Sequence, residues 1–136
     1  MLQIETPAPS PSQKIEQRVG LTDITVAYSR PSVKGRKIFG GLEQYGKVWR
    51  TGANARTKIT FSSEVTIAGN TLEKGTYAIF TRPNETAWDI YFYTAYKGSG
   101  APKTLDMEKV AAQLKVTPTK LVTNVETMTI TFDNLT

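Results

Sequence analysis

Residues 75–93 read GTYAIFTRPNETAWDIYFY, and this stretch decides the fold. In its first half, Tyr77 and Ile79 share one side of an extended chain. Ala78 and Phe80 share the other side. A strand with apolar side chains on both sides belongs in the middle of a packed sheet. The turn-forming residues RPNE then lead into a second alternating strand. The stretch therefore predicts a central strand followed by an antiparallel neighbour.

The alternation of apolar and polar residues continues on both sides of this stretch. We interpret each alternating run as a half-buried strand bounded by turns. About eight such strands predict an all-β fold, a single antiparallel β-sandwich for which a jelly-roll-like arrangement is one option. The runs outside residues 75–93 are 13–19, 23–28, 59–61, 65–67, 107–117 and 128–132, with a further short strand at 47–50.

Two local features needed a choice. Residues 107–117 contain good helix formers. However, Val110, Ala112, Leu114 and Val116 repeat with period two, which predicts a strand after a short turn at 105–108. The Gly-Asn pair at 69–70 predicts a hairpin turn.

The composition excludes several chemistries. The chain has 136 residues, with no histidine and no cysteine. It therefore has no cysteine nucleophile, no Ser-His-Asp triad and no zinc site of the usual ligand set. The net charge of +5 favours acidic partners in general. We predict no cofactor and no metal, and we expect binding rather than catalysis.

The first twelve residues, MLQIETPAPSPS, have the composition of an extended linker. We interpret residues 1–12 as a proline-rich tether and residues 13–136 as one domain. No apolar run is long enough to predict a membrane span. A cytoplasmic protein is one interpretation of this leader. Its composition favours instead a periplasmic or extracellular protein whose signal was removed before Met1, with a lipid anchor as one option.

The candidate site lies in the irregular segment 28–59, YSRPSVKGRKIFGGLEQYGKVWRTGANARTKI, where eight basic residues meet four aromatic ones. Long connections without strand character are often functional. Arginine offers a planar fork for carboxylate, phosphate or sulfate, and aromatic rings offer faces for a sugar. We predict a small anionic or saccharide ligand. The candidate ligand-binding residues are Arg30, Arg36, Lys37, Tyr45, Trp49, Arg50, Asn54 and Arg56.

Other interpretations of these residues stay open. The arginines could instead have a structural role. Backbone carbonyls in a loop have no neighbouring strand to bond to, so they need side-chain donors. A glycan hydrolase would need two facing carboxylates, and only Asp106 and Glu108 form a close acidic pair. A structural envelope protein without a small ligand is a third alternative. Nucleic acid is not predicted as a partner. Tyr91, Tyr93 and Tyr96 are a further candidate, as an exposed stacking patch for a glycan, although a plain amphipathic strand is the favoured interpretation of their alternation.

Two strings, one at 28–61 and the other, VTIAGNTLEKGTYAIFTRP, at 65–83, resemble a bacterial family of domains of unknown function, numbered 2911. The resemblance runs from about Ser12 to Thr136, and SRPSVKGRKIFGGL and YGKVWRTGAN are its most specific parts. Proteins of that family are typically exported in Gram-negative bacteria. The resemblance implies no particular activity.

One departure from the family concerns the C-terminus. Family domains usually continue with a further hairpin after the strand that is here predicted at 128–132. If that hairpin is missing, a sheet edge is left open. A homodimer formed through the open edge is then one hypothesis, and a natural variant or a shortened chain explains the difference equally well.

Overall fold

The computed structural model describes residues 10–32, 34, 38, 45–52, 55–98, 100–119 and 125–131. Within these ranges the chain forms eight strands and a short 3₁₀ helix, Met107–Lys109. Six strands form one antiparallel sheet in the order β1-β2-β3-β6-β7-β8, and β4 and β5 form a separate hairpin. The predicted all-β antiparallel fold in two sheets is confirmed. The strands are β1 (Ser12–Val19), β2 (Thr22–Ser29), β3 (Lys58–Phe61), β4 (Val65–Ile67), β5 (Asn70–Leu72), β6 (Gly75–Arg82), β7 (Trp88–Tyr93) and β8 (Val110–Val116).

The first face of the large sheet is the side that carries Tyr77 and Phe92. It packs against the β4–β5 hairpin, whose Leu72 is only 1% exposed. The Tyr77 ring meets the Phe61 ring at 6.2 Å between centroids, and its hydroxyl donates to the Glu73 carbonyl. Burial raises the pKa of the Tyr77 hydroxyl above its ordinary value of 10.0. The two sheets therefore enclose one apolar cluster.

The second face carries Phe80, Tyr91 and Tyr93, and loops rather than a sheet cover it. Val48 and Leu105 pack onto these rings from two of those loops. Because β6 lies between β3 and β7 and is covered on both sides, its predicted central position is confirmed. Tyr91 and Tyr93 are 2% and 4% exposed, so the exposed tyrosine patch that the sequence left open does not exist at these two residues. The alternation in 88–93 did not show that loops would cover this face.

The half of the sheet made by β1, β2 and β3 has a polar second face. Residues paired across an antiparallel ladder lie on the same side of the sheet. Lys14 pairs with Ala27, and Ala27 pairs with Lys58, so these three form one row on the second face. The adjacent row across the same strands contains Glu16, Thr25 and Thr60. Charged and hydroxyl side chains thus replace the apolar rings of the β6–β7 half.

The predicted strand at 128–132 is wrong for the residues that the structure describes, 128–131. Here the backbone bonds to the end of β2 and the residues after it instead of joining a ladder. Met128 N–H donates to the Pro31 carbonyl at 2.8 Å, and Ile130 N–H donates to the Tyr28 hydroxyl at 2.7 Å. Pro31 has no N–H to return, so a continuous ladder cannot form beside it. The segment has one isolated bridge, between Thr127 and Ser32.

The predicted hairpin turn is shifted by one residue, and the predicted last strand is confirmed. The turn predicted at 69–70 lies one residue earlier, because Ile67 pairs with Asn70. Ala68 and Gly69 are the turn residues and both have positive φ, as a two-residue hairpin turn of type I′ requires. The strand predicted late in 107–117 is confirmed, with β8 following the 3₁₀ helix. Period two outweighed helix propensity there, because β8 pairs with β7 from Val110 to Val116, with one register shift between Phe92 and Tyr93.

The division into a tether at 1–12 and a domain at 13–136 stays a prediction, since residues 1–9 lie outside the described part. The fold reaches slightly into the predicted tether. β1 begins at Ser12, and the Pro11 carbonyl accepts a hydrogen bond from Arg30 N–H at 2.8 Å.

Candidate functional site

Arg30 ties the end of β2 to the C-terminal segment. Its Nε donates to the Met128 carbonyl at 2.8 Å, and its Nη2 donates to Thr129 Oγ1 at 3.1 Å. These contacts use a carbonyl that has no ladder to join. Arg30 therefore has the structural role that the sequence left open as an alternative.

Tyr45, Trp49 and Arg50 lie along the outer end of β6. Trp49 and Thr81 exchange two backbone hydrogen bonds, of 2.7 and 2.9 Å. This isolated bridge is what the structure shows of the short strand predicted at 47–50. Arg50 Nε donates to the Gly52 carbonyl at 3.3 Å, and Tyr45 is 39% exposed. Three other predicted site residues, Arg36, Lys37 and Asn54, lie outside the described residues.

Arg56 holds a loop that crosses the second face. Its Nη1 donates to the Ala95 carbonyl at 2.7 Å and its Nε to the Gly100 carbonyl at 3.2 Å. The guanidinium also lies 5.2 Å from the centre of the Phe80 ring. Cation–π contact and two charged hydrogen bonds fix this side chain firmly. Arg56 also borders a cavity.

The basic cavity, as we call it, lies on the second face where β1 begins and β2 ends. Its volume is about 480 Å³. Lys14 and Lys58 stand on either side of the small Ala27 in one cross-strand row. Neighbouring strands lie about 4.8 Å apart, so the two lysine Cα atoms are roughly 10 Å apart. The cavity is lined by Ser12, Gln13, Lys14, Ala27, Tyr28, Ser29, Ala55, Arg56 and Lys58.

Among the lining residues that the structure describes, three are cationic and none is a carboxylate. Lys14 Nζ lies 3.4 Å from Glu16, but both side chains are about two-thirds exposed, at 65% and 68%. Exposed ion pairs of this kind contribute little and exchange readily. Lys58 forms no ion pair with any carboxylate in the described part of the chain, and its Nζ lies 6.0 Å from the centre of the Tyr96 ring. Two lysines are thus available to an anion.

Sequence reasoning missed Lys14 and Lys58 as partners. Lys14 stands in a predicted strand, where a charged residue at an alternating position usually faces solvent. Lys58 was counted in the irregular segment, whereas the structure places it at the start of β3. The signal that joins them is the order β1-β2-β3 and its register. Neither the strand order nor the register can be derived from a local pattern. A long irregular segment separates β2 from β3, so the sequence does not show that these two strands are neighbours.

The loop beside the cavity is tightly packed at Gly52. Thr57 is fully buried, and its hydroxyl donates to the Thr51 carbonyl at 2.6 Å. A Cβ on Gly52 would lie 2.8 Å from Thr57 Oγ1 and 3.1 Å from the Ser29 carbonyl oxygen. The position thus requires glycine because of space, not because of backbone conformation.

We expect Gly52→Ala to lower the free energy of unfolding by about 1–3 kcal/mol, the usual cost of overpacking a site that cannot yield. Urea denaturation monitored by tryptophan fluorescence would measure it. Gly52→Ala combined with Thr57→Ala removes the hydroxyl in the way, so the second substitution should cost less in this background than alone. A fully stable Gly52→Ala protein would show that the loop yields easily.

The described residues contain no group of three or more acidic, histidine or cysteine side chains placed to hold a metal ion. No helix within the described ranges is long and apolar enough to cross a membrane. The fold and the cavity together define an antiparallel β-domain that presents a cationic recess on the open half of its main sheet.

Comparison with known protein families matches residues 10–136 to the family described as "Protein of unknown function (DUF2911)". The chain belongs to this family, as its resemblance predicted. Comparisons with curated proteins and with solved structures found no match.

Proposed function

We propose that this domain is a non-catalytic binding module for a small anionic ligand, a phosphate, sulfate or carboxylate group, held in the basic cavity. The observation that carries the proposal is the row in which Lys14 and Lys58 flank Ala27, with Arg56 at the side and no carboxylate among the lining residues. An anion between these cations would satisfy their charge at short range.

The shape of the row supports a ligand rather than a packed contact. A large, small, large order of side chains leaves a trough above Ala27. The floor continues over Ser12 and Ser29, which pair with each other in the next row. The volume of about 480 Å³ falls within the range of small-molecule sites. The trough thus has room for more than a bare ion.

An acidic saccharide is the ligand class that fits these groups best. Hydroxyls of Ser12 and Ser29 can exchange hydrogen bonds with sugar hydroxyls, and lysines can hold the acid group. Tyr96, near Lys58, adds an aromatic surface beside the trough. A neutral sugar would leave the lysines unused.

The same lining supports binding over hydrolysis. Glycoside hydrolysis requires two carboxyl groups across the scissile bond. The basic cavity has none among the lining residues within the described ranges. The acidic pair considered from the sequence stands elsewhere, since Asp106 caps the 3₁₀ helix by accepting from Glu108 N–H.

The setting of the module is also part of the proposal. The proline-rich composition of residues 1–12 supports a domain that works on a tether outside the cytoplasm, in the periplasm or at the cell surface. An extended leader would hold the domain away from its anchor and leave the cavity accessible.

Replacing Lys58 with methionine tests the proposal. Methionine keeps the apolar stem that packs near Tyr96 but removes the charge. We expect the Kd for inorganic phosphate and for glucuronate to rise about tenfold, the usual worth of a charged hydrogen bond. Isothermal titration calorimetry at low salt would measure both, with glucose as the neutral comparison.

Lys103→Met is the matched control, because Lys103 is exposed and does not line the cavity. It changes the net charge equally, so it should leave the Kd nearly unchanged. If both variants weakened phosphate binding equally, the affinity would depend only on the net charge of the protein. The proposed site would then be wrong. Failure of the native chain to bind any of the anions would also reject the proposal.

A further inference from the structure

We propose that two copies of this chain pair through the outer edges of their β1 strands, with Ile15 at the two-fold axis. The edge is long and regular: β1 has eight residues, all paired in register with β2. No described residue pairs with its other side. An uninterrupted edge without proline or bulge is a template for a further strand.

The hydrogen-bonding pattern shows which residues face outward. Arg30 N–H donates to the Pro11 carbonyl across the β1–β2 ladder. Along an antiparallel ladder, residues alternate between those bonded to the partner strand and those whose N–H and C=O point away. Counting on from Pro11, Ile15 is bonded to β2. The outward groups therefore belong to Ser12, Lys14, Glu16 and Arg18.

One register of self-pairing satisfies the charges. With Ile15 opposite Ile15 of the second copy, each Lys14 stands opposite Glu16, and each Ser12 stands opposite Arg18. Two residues of shift in one direction would place Lys14 opposite Lys14. The same shift in the other direction would place Glu16 opposite Glu16 and Lys14 opposite Arg18. Directly opposed like charges destabilise a ladder.

The chosen register also continues both faces of the sheet. Ile15 pairs with Val26 on the apolar first face, so the two Ile15 side chains would extend that face across the junction. Lys14 and Glu16 already lie 3.4 Å apart within one chain, on the polar second face. The same two residues would form paired charges across the interface. The occupant that this edge fits is therefore a second copy of the chain.

The pairing has a consequence for the basic cavity, which rests on the proposed function. Ser12 lines the cavity, and the register sets Arg18 of the partner subunit opposite it. Within one chain, Arg18 bonds to Asp23 at 2.9 Å and lowers the pKa of that carboxyl. The dimer would thus border each cavity with a residue from the other subunit.

Single cysteines test the register directly, because the chain has no cysteine of its own. Residues opposite each other in a non-hydrogen-bonded pair have the Cα separation that a disulfide needs. We expect Ile15→Cys to form a disulfide-linked dimer under mild oxidation, faster than Gln17→Cys or the exposed control Lys103→Cys. Equal rates for all three, or a faster Gln17→Cys, would overturn the proposal.

Charge exchange tests the contacts in the absence of ligand. We expect Lys14→Glu to weaken dimerisation at least tenfold in sedimentation equilibrium, because it creates two like-charge pairs. Lys14→Glu with Glu16→Lys restores both pairs and should recover the dimer. A native chain that stays monomeric at every concentration, or a double variant as weak as the single one, would contradict the pairing.

The cavity consequence has its own readout. In the disulfide-linked Ile15→Cys dimer, adding Arg18→Ala should raise the Kd for phosphate. Reduction followed by dilution below the dissociation constant of the dimer should abolish that difference. If Arg18→Ala did not change the phosphate Kd of the linked dimer, the shared cavity would be refuted, but the strand pairing would not. A linked dimer that binds no phosphate would reject the proposed function alone.

Discussion

Replacing Phe80 with alanine is expected to lower the free energy of unfolding by about 3–5 kcal/mol. Phe80 is fully buried in the middle of β6. Its ring meets the Tyr93 ring edge-on at 5.4 Å between centroids, and Arg56 lies over it. Truncation removes both contacts and leaves a cavity that the surrounding strands cannot close.

Thermal and urea unfolding of the purified variant would measure this loss. Phe80→Leu is the matched control, because it keeps most of the apolar volume and loses mainly the ring contacts, so its loss should be clearly smaller. If Phe80→Ala cost less than about 1 kcal/mol, the loops over the second face would have to repack freely around the lost ring.

Replacing Arg56 with alanine is expected to lower the free energy of unfolding by about 3 kcal/mol. Two charged hydrogen bonds to the Ala95 and Gly100 carbonyls are lost, and each is typically worth about 1.5–3 kcal/mol where the group is partly buried. The loss falls on the loop that covers Phe80. The rate of backbone amide hydrogen exchange should therefore increase most in residues 95–100.

Arg56→Lys separates this role from a role in ligand binding. Lysine keeps the charge but lacks the fork that reaches two carbonyls at once. We expect it to be nearly as unstable as Arg56→Ala. A stable Arg56→Lys protein, together with a stable Arg56→Ala protein that no longer binds phosphate, would make Arg56 a ligand residue and reject the structural role.

Much of the strand pattern was predictable because alternation is a property of neighbouring residues. The central place of β6 followed from apolar side chains on both sides, and β8 followed from its period of two. The segment after Thr127 shows the limit of that reasoning. Its alternation is as regular as that of any strand, yet Arg30 and Tyr28 bond to its backbone and no ladder forms in residues 128–131.

The candidate site was predicted only in part. Basic residues crowd the segment 28–59, and two arginines from it, Arg30 and Arg56, bond to the backbone of distant loops. This structural role was open from the sequence, because loop carbonyls that have no neighbouring strand need side-chain donors. Of the two lysines that flank Ala27, Lys58 belongs to this segment but was not among the predicted site residues. Lys14 stands in β1, in a run whose alternation marks it only as a surface residue.

The sequence by itself determined the all-β class, the central strand and the family, since all three are carried by residues adjacent in the chain. The tertiary structure alone decided which strands are neighbours, and so decided that Lys14, Ala27 and Lys58 form one row. It also decided that loops bury the second face of β6 and β7 while leaving that of β1 to β3 open. Register and covering layers arise from contacts between residues far apart in sequence, which no local periodicity encodes.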